Sequence, residues 1–334
     1  MRKRGGFAQY PPAMPEFTRT QLEAAADRVH RVIPPTPQYC WPLLSRRLGA
    51  ETWVKHENHT EVGAFKVRGG VLHLADLKSG DPNLTGVVAA TRGNHGQSVA
   101  FAAKRNGLRC VIVVPHGNSV EKNAAMRALG AELVEHGQDF QESLEHAFAL
   151  AEQRKLRFVP SFAGDLVRGV ASYAMELFGA VPDIARIYVP IGLGSGICGV
   201  IAARDALGLK TEVVGVCAEN APAYALSFAA GKAVSTNSAD TLADGVACRV
   251  PNGDALPMIL KGAARVITVS EAEIKAAMRV YFSDTHNVAE GAAAAPLAGA
   301  TREAALNRNQ RIALVLSGGN VDRTQFAAIL AEEP

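Results

Sequence analysis

Eight short apolar runs recur along the chain, at residues 86–91, 109–115, 132–135, 157–162, 186–191, 211–218, 265–269 and 311–317. Between them lie segments long enough for helices, among them 94–106, 120–129, 139–155, 197–207 and 271–281. Gly107, Gly130 and Gly208 close three of these, and Ser270 caps the last. Strands that stay apolar without alternating are buried on both faces, and a parallel crossover needs a connection about as long as a helix. The pattern predicts an α/β chain with open, mainly parallel twisted sheets carrying helices on both faces. No repeat of fixed period points to a solenoid. No Gly/Ser/Pro-rich linker divides the chain, so a second domain is expected to be inserted through the first. A first helix is predicted from the Thr20-Gln-Leu-Glu23 capping box, ending at Pro34-Pro35.

The 334 residues allow two domains, and 48% hydrophobic with 20% charged residues is a globular composition. Lysine and arginine exceed the acids by 35 − 32 = 3, and apart from the first four residues the charges are scattered. This argues against nucleic acid or an anionic membrane and favours a small-molecule partner. Cys40, Cys110, Cys198, Cys217 and Cys248 are odd in number and widely spaced, without metal spacing, and read as reduced packing residues. There is no apolar leader and no long apolar run, so a cytoplasmic protein is expected, with residues 1–17 as a surface arm.

Four segments place reactive residues where strands meet helices, the usual ligand position of open α/β sheets. In the first, Lys66 follows Gly63-Ala64-Phe65 and precedes Gly69-Gly70. An ammonium held among apolar groups loses solvation, which frees its amine for a Schiff base, although a surface helix lysine fits the same spacing. In the second, Thr91-Arg92-Gly93-Asn94-His95-Gly96-Gln97 leads a strand into a helix whose unpaired amides attract a carboxylate or phosphate. An ordinary cap by Asn94 is equally compatible. The third, Gly192-Leu193-Gly194-Ser195-Gly196, is a glycine loop able to cradle a phosphate. Gly194, Gly196 and Gly199 also fit a dinucleotide fingerprint, with Glu219 twenty residues beyond Gly199. The fourth, Ser317-Gly318-Gly319-Asn320, ends a strand with a neutral hydroxyl and glycines that admit a flat ligand, or forms a plain turn before Asp322.

In order, Thr36-Pro37, Lys55-x-Glu57-Asn58 with Gly63-Ala64-Phe65-Lys66, the Gly93-to-Gln97 turn, the Gly192-to-Gly196 loop, Ala243-Asp244-Gly245 and Ser317-to-Asn320 resemble the motifs of fold-type II pyridoxal-phosphate enzymes, in the threonine dehydratase and serine racemase branch. The resemblance spans nearly the whole chain. The Thr91-to-Gln97 turn, the glycine loop and Gly215-Val-Cys-Ala-Glu219 look most like the phenylserine and hydroxyectoine-utilisation dehydratases.

The resemblance implies that Lys66 joins pyridoxal 5'-phosphate covalently beside Phe65 and that Asn94 bonds its phenolic oxygen. Gly192, Leu193, Gly194, Ser195 and Gly196 would hold the phosphate, with Ser317 and Gly318 at the pyridine nitrogen. Thr91, Gly93, Asn94 and His95 would receive the substrate carboxylate, and Glu290 matches a cofactor-side glutamate, although a surface glutamate fits its place as well. It further implies a large domain of residues 1–85 and 163–334, a small domain of 86–162, and a homodimer. The reaction implied is β-elimination from a β-hydroxy-L-amino acid, giving a 2-oxo acid and ammonia. A serine hydroxyl cannot hold full positive charge on the ring nitrogen as a carboxylate would, which disfavours a long-lived carbanion and favours elimination.

Departures from the pattern sharpen this expectation. Racemases carry a serine just before the Gly-Asn-His turn, whereas this chain has Arg92, a poor proton donor that biases the site electrostatically or faces solvent. The positions of the relatives' divalent-metal ligands read Cys217 and Ala223, or Ala225 in a shifted register, so no metal is expected. Val62 replaces a threonine, with no consequence that can be read from sequence. Little chain follows the fourth motif, so no regulatory domain is expected. The Gly-Asn-His-Gly turn argues against β-replacement, whose branch reads Gly-Asn-Thr-Gly. The rival readings are an NAD-dependent dehydrogenase built on Gly194 to Gly199 and a non-catalytic ligand binder. Within the family, serine racemase and 3-hydroxyaspartate dehydratase remain alternatives.

Overall fold

A computed structural model describes residues 16–332. Among the described residues ten strands form two sheets. In chain order they are β1 (Gln38–Cys40), β2 (Glu51–His56), β3 (Gly86–Ala90), β4 (Arg109–Val114), β5 (Glu132–Glu135), β6 (Arg157–Phe158), β7 (Arg186–Pro190), β8 (Glu212–Ala218), β9 (Arg265–Val269) and β10 (Arg311–Leu316). The larger sheet has the order β1-β2-β10-β7-β8-β9 and is parallel except for edge strand β1. The smaller, β5-β4-β3-β6, is parallel throughout and drawn only from residues 86–158. Its apolar cluster also takes in Ala25, Val29, Val67 and Leu74 from helices Arg19–His30 and Lys66–Gly80. The α/β class with two mainly parallel sheets is thus as the apolar runs predict.

Some local expectations shift. The first helix is capped by Thr18, not Thr20. Thr18 Oγ1 accepts from Gln21 N–H and Gln21 Oε1 accepts from Thr18 N–H, at 3.2 and 2.9 Å. Both boxes fit the motif, and the observed start buries Leu22, Ala25, Ala26 and Val29 on one face. The helix ends at His30, before the prolines. Strands β1 and β2 have no apolar run to announce them: β1 has three residues, and β2 buries Lys55 and His56 beside a single aliphatic, Val54. Four cysteines are buried, but Cys40 is exposed on β1 and does not pack in the core. Of the arm, residues 1–15 lie outside the described part, while Phe17 packs on the core of the larger sheet.

A polar cluster inside the protein explains the polar β2. Arg68 is fully buried and forms a two-pronged pair with Glu57, Nε to Oε2 at 2.6 Å and Nη2 to Oε1 at 3.0 Å. Its Nη1 reaches Glu176 Oε1 at 2.5 Å and Ser172 Oγ at 3.0 Å. Lys55 Nζ donates to Glu176 Oε2 and Thr36 O, and Thr36 Oγ1 donates to Glu57 at 2.6 Å. Two cations and two anions cancel. Burial opposes the Arg68 charge, but Glu57 and Glu176 outweigh it and keep the guanidinium firmly protonated. The helices carrying Arg68 and Glu176 touch backbone to backbone, since a Cβ on Gly169 would lie 2.6 Å from Arg68 O. Arg68→Met leaves both carboxylates buried without their shared cation. It is expected to cost about 3–5 kcal/mol, read as a lower urea midpoint at unchanged slope.

Candidate functional site

Lys66 opens the helix Lys66–Gly80 directly after Phe65. The segment before it is stitched to the chain beyond β10. Phe65 N–H donates to Ser317 O at 3.0 Å, Gly319 N–H donates to Gly63 O at 2.9 Å, and Ala64 bridges Gly318. The first and fourth motifs therefore form one wall. Lys66 Nζ donates to Ser195 Oγ at 2.8 Å and approaches Ser161 O at 3.4 Å, lying 5.3 Å from the Phe65 ring centre. Burial lowers the ammonium to about 8. The surface-lysine reading of this residue is excluded.

The loop that Lys66 addresses runs from β7 into helix Ser195–Ala206, whose cap is Gly194 at φ +104°. No side chain caps this buried helix start, so its first amides stay open to an anion. Gly192 must be glycine, because a Cβ there would lie 2.1 Å from Gly245 O. That contact accounts for the Ala243-Asp244-Gly245 motif. Tyr224 Oη donates to Leu193 O at 2.9 Å and Tyr173 Oη to Gly196 O at 3.2 Å, fixing the loop from behind.

The second motif supplies another open helix start. Gly93 precedes helix Asn94–Arg105 without a side-chain cap, and Thr91 Oγ1 accepts from Gly93 N–H at 3.1 Å. His95 is turned away, with Nε2 3.4 Å from Val159 O. Burial, reinforced by the Lys66 charge, lowers it to about 3, so the ring is neutral. A carboxylate at this turn would meet the His95 backbone amide, not an imidazolium. Asn94 Nδ2 donates to Glu290 Oε1 at 2.7 Å. Glu290 is 6% exposed, not a surface glutamate. Burial raises it to about 7, against the pull of Lys122 and Asn94. Arg92 is exposed and reaches towards Asp244 at 3.8 Å, where Lys122 Nζ also binds at 3.0 Å. Ser317 is buried at the end of β10.

An open buried helix start, glycines without room for side chains and an amine with lowered pKa aimed at the same place suit a phosphate-bearing aldehyde. A family profile described as pyridoxal-phosphate dependent enzyme matches residues 29–318. The chain belongs to this family. It is 32% identical to the L-threonine ammonia-lyase of Thermotoga maritima over 94% of this chain and 78% of that one. Among solved structures, it superposes on threonine deaminase isoform 2 from Solanum lycopersicum with TM-score 0.87 at 27% identity, covering all of both chains. A pyridoxal 5'-phosphate-dependent aspartate racemase gives TM-score 0.87 at 30% identity, over 94% of this chain and 99% of that one.

The cofactor of this family is pyridoxal phosphate, so the glycine spacing is not a dinucleotide fingerprint. Gly199 instead lets helix Ser195–Ala206 approach the backbone of Ala171, and Glu219 pairs with Arg302 at 3.1 Å. Burial pushes the Cys217 thiol up to about 12, leaving it neutral. Among the described residues no helix is long and apolar enough to cross a membrane. Lys122, Tyr173 and Tyr224 were not legible as site residues, because each reaches the site from an element with an ordinary helical pattern.

Two outcomes are expected. With cofactor removed, the rate at which pyridoxal phosphate attaches to Lys66 climbs as pH rises through about 8 and then levels, since only the unprotonated amine attacks. An ordinary lysine would climb on to about 10.4. Gly192→Ala weakens cofactor binding by tenfold or more in a fluorescence titration, an order-of-magnitude figure for a strained buried contact. Gly179→Ala is the tolerated control, because its methyl would point into open space away from the loop.

Proposed function

We propose that this chain is an ammonia-lyase that removes water from a β-hydroxy-L-amino acid of the threonine or serine type, yielding a 2-oxo acid and ammonia. The observation carrying this reading is the buried Lys66 amine, lowered to about 8 and held 2.8 Å from Ser195 Oγ at the open helix start. The names of the threonine ammonia-lyase and threonine deaminase relatives agree with it, while that of the aspartate racemase names another reaction. In this reading residues 86–162 form a small domain inserted between 1–85 and 163–334, with the cofactor between the two.

When bound, the cofactor supplies an electron-withdrawing ring that acidifies the Cα–H of an attached amino acid. The amides opening helix Ser195–Ala206 would hold its phosphate. Asn94 would serve its phenolic oxygen and Ser317 its ring nitrogen, where a neutral hydroxyl supplies no matching negative charge. The amides of Asn94 and His95, with Thr91 and Gly93, would hold the substrate carboxylate. Lys66, partly unprotonated near neutral pH, accepts the Cα proton. The β-hydroxyl would leave as water by taking up a proton, for which the one accepted by Lys66 accounts, and the released enamine would be hydrolysed by water to the 2-oxo acid and ammonia.

The structure also bears on the alternatives. Arg92 is exposed beside Asp244 and does not present a second acid–base group, which disfavours racemisation. Lys122 is held by Asp244 at 3.0 Å, whereas Arg92 is exposed and 3.8 Å from it, so Arg92 is the cation open to the second carboxylate of 3-hydroxyaspartate and that substrate stays an alternative. Phenylserine, with its neutral side chain, stays in the proposed range. The test is a 2-oxo acid assay over threonine, serine, phenylserine and 3-hydroxyaspartate, with peptide mapping after borohydride trapping. Product from the neutral substrates, loss of turnover in Lys66→Ala and a label on Lys66 are expected. A labelled protein that releases no 2-oxo acid or ammonia from any of them overturns the lyase reading.

A further inference from the structure

Asn320 belongs to the fourth motif, yet the chemistry above gives it no task. Its Nδ2 donates to Val62 O and to Asn94 Oδ1, both at 2.8 Å. A primary amide nitrogen carries two hydrogens, so both are spent. The Val62 carbonyl can only accept, which fixes which end of the Asn320 amide faces it. Asn320 in turn presents a donor to Asn94, so the atom it meets must be the oxygen. The opposite end of Asn94 donates to Glu290 Oε1 at 2.7 Å. Turning the Asn94 amide over would set nitrogen against nitrogen at Asn320 whatever the state of Glu290, and oxygen against oxygen at Glu290 when that carboxylate is ionised. The chain of contacts from Val62 through Asn320 and Asn94 to Glu290 thus admits one orientation and leaves a single Asn94 N–H unspent.

The backbone around Asn320 keeps this register. Gly63 has φ +67°, and a Cβ there would lie 2.8 Å from Asn320 Oδ1. The Gly319 N–H to Gly63 O bond ties the same two segments together at 2.9 Å. Lys66 follows Gly63 by three residues, so the amide relay and the reactive lysine are built on one stitched wall.

We propose that Asn320 is a positioning residue that locks the Asn94 amide in the orientation offering its remaining N–H to the cofactor's phenolic oxygen. This rests on the placement of Asn94 given under the proposed function. A donor at that oxygen favours the form with the proton on the lysine-derived nitrogen, which absorbs at longer wavelength. Asn320 therefore sets the colour and affinity of the bound cofactor without touching it.

The test compares holoenzyme absorbance and pyridoxal-phosphate affinity in Asn94→Ala, Asn320→Asp, Asn320→Ala and the double variant Asn94→Ala/Asn320→Asp, with circular dichroism confirming the fold. Asn320→Asp places oxygen against both Val62 O and Asn94 Oδ1. It is expected to shift intensity from the long- to the short-wavelength band, as Asn94→Ala does, and to weaken cofactor binding about tenfold, the scale of one lost hydrogen bond. Asn320→Ala shifts the bands in the same direction and serves if the aspartate variant does not fold. The double variant shifts no further than Asn94→Ala alone, because both changes remove one contact. A wild-type spectrum in the Asn320 variants beside a shifted Asn94→Ala overturns the relay, as does an additive double variant. An unshifted Asn94→Ala with Lys66 still labelled overturns the placement of Asn94 and the relay with it, leaving the lyase reading standing. Absence of the Lys66 label overturns that placement, the relay and the covalent lyase mechanism together.

Discussion

The buried pairing of Arg68 with Glu57 and Glu176 is the constraint on which the site rests. Arg68 lies two residues beyond Lys66 on the same helix, Glu57 leaves β2, and Glu176 belongs to helix Gly164–Ala180. Four ionised groups taken out of water are tolerable only when each has its partners at hydrogen-bond distance, so the cluster accepts very little displacement of the elements that bear it. The helix start at Lys66 inherits that fixity, and the reactive amine is delivered to one place.

From this wall the remaining parts are set by backbone contacts. The Gly63–Lys66 stretch bonds to Ser317 and Gly319, while Gly192 presses on the Gly245 carbonyl. Two helix starts without side-chain caps are left open to anions, which the proposed function fills with a phosphate at one and a carboxylate at the other. In that proposal the anions are met mainly by peptide dipoles, and the side-chain cations do other work: Lys66 for covalent attachment, Arg68 for rigidity, and Lys122 for Asp244.

Much of this was legible beforehand. Eight of the ten described strands showed as apolar runs, chiefly because the central ones, β3, β4, β7, β8 and β10, are covered on both faces and carry few polar residues. The motifs around Lys66, Asn94, the glycine loop and Ser317 were visible because each needs glycine or a particular donor at a fixed spacing. The structure then brings Lys66 to Ser195 and Phe65 to Ser317. Strand β2 was hidden by Lys55 and His56, polar residues that resemble surface positions until their buried partners are seen. His95 was legible as a site residue, but its turn towards Val159 was not, since only the packing around β6 decides which way the ring faces.

By itself the sequence determined the α/β class, the pyridoxal-phosphate family motifs and the candidate lysine and glycine loop, because these depend on periodicity and on residues close together in the chain. Only the tertiary structure decided that burial lowers Lys66 to about 8, that Glu290 is buried on Asn94, and that Asn320 bonds the Asn94 amide. Those properties arise from desolvation and from donors and acceptors contributed by distant segments, and neither is written in local order.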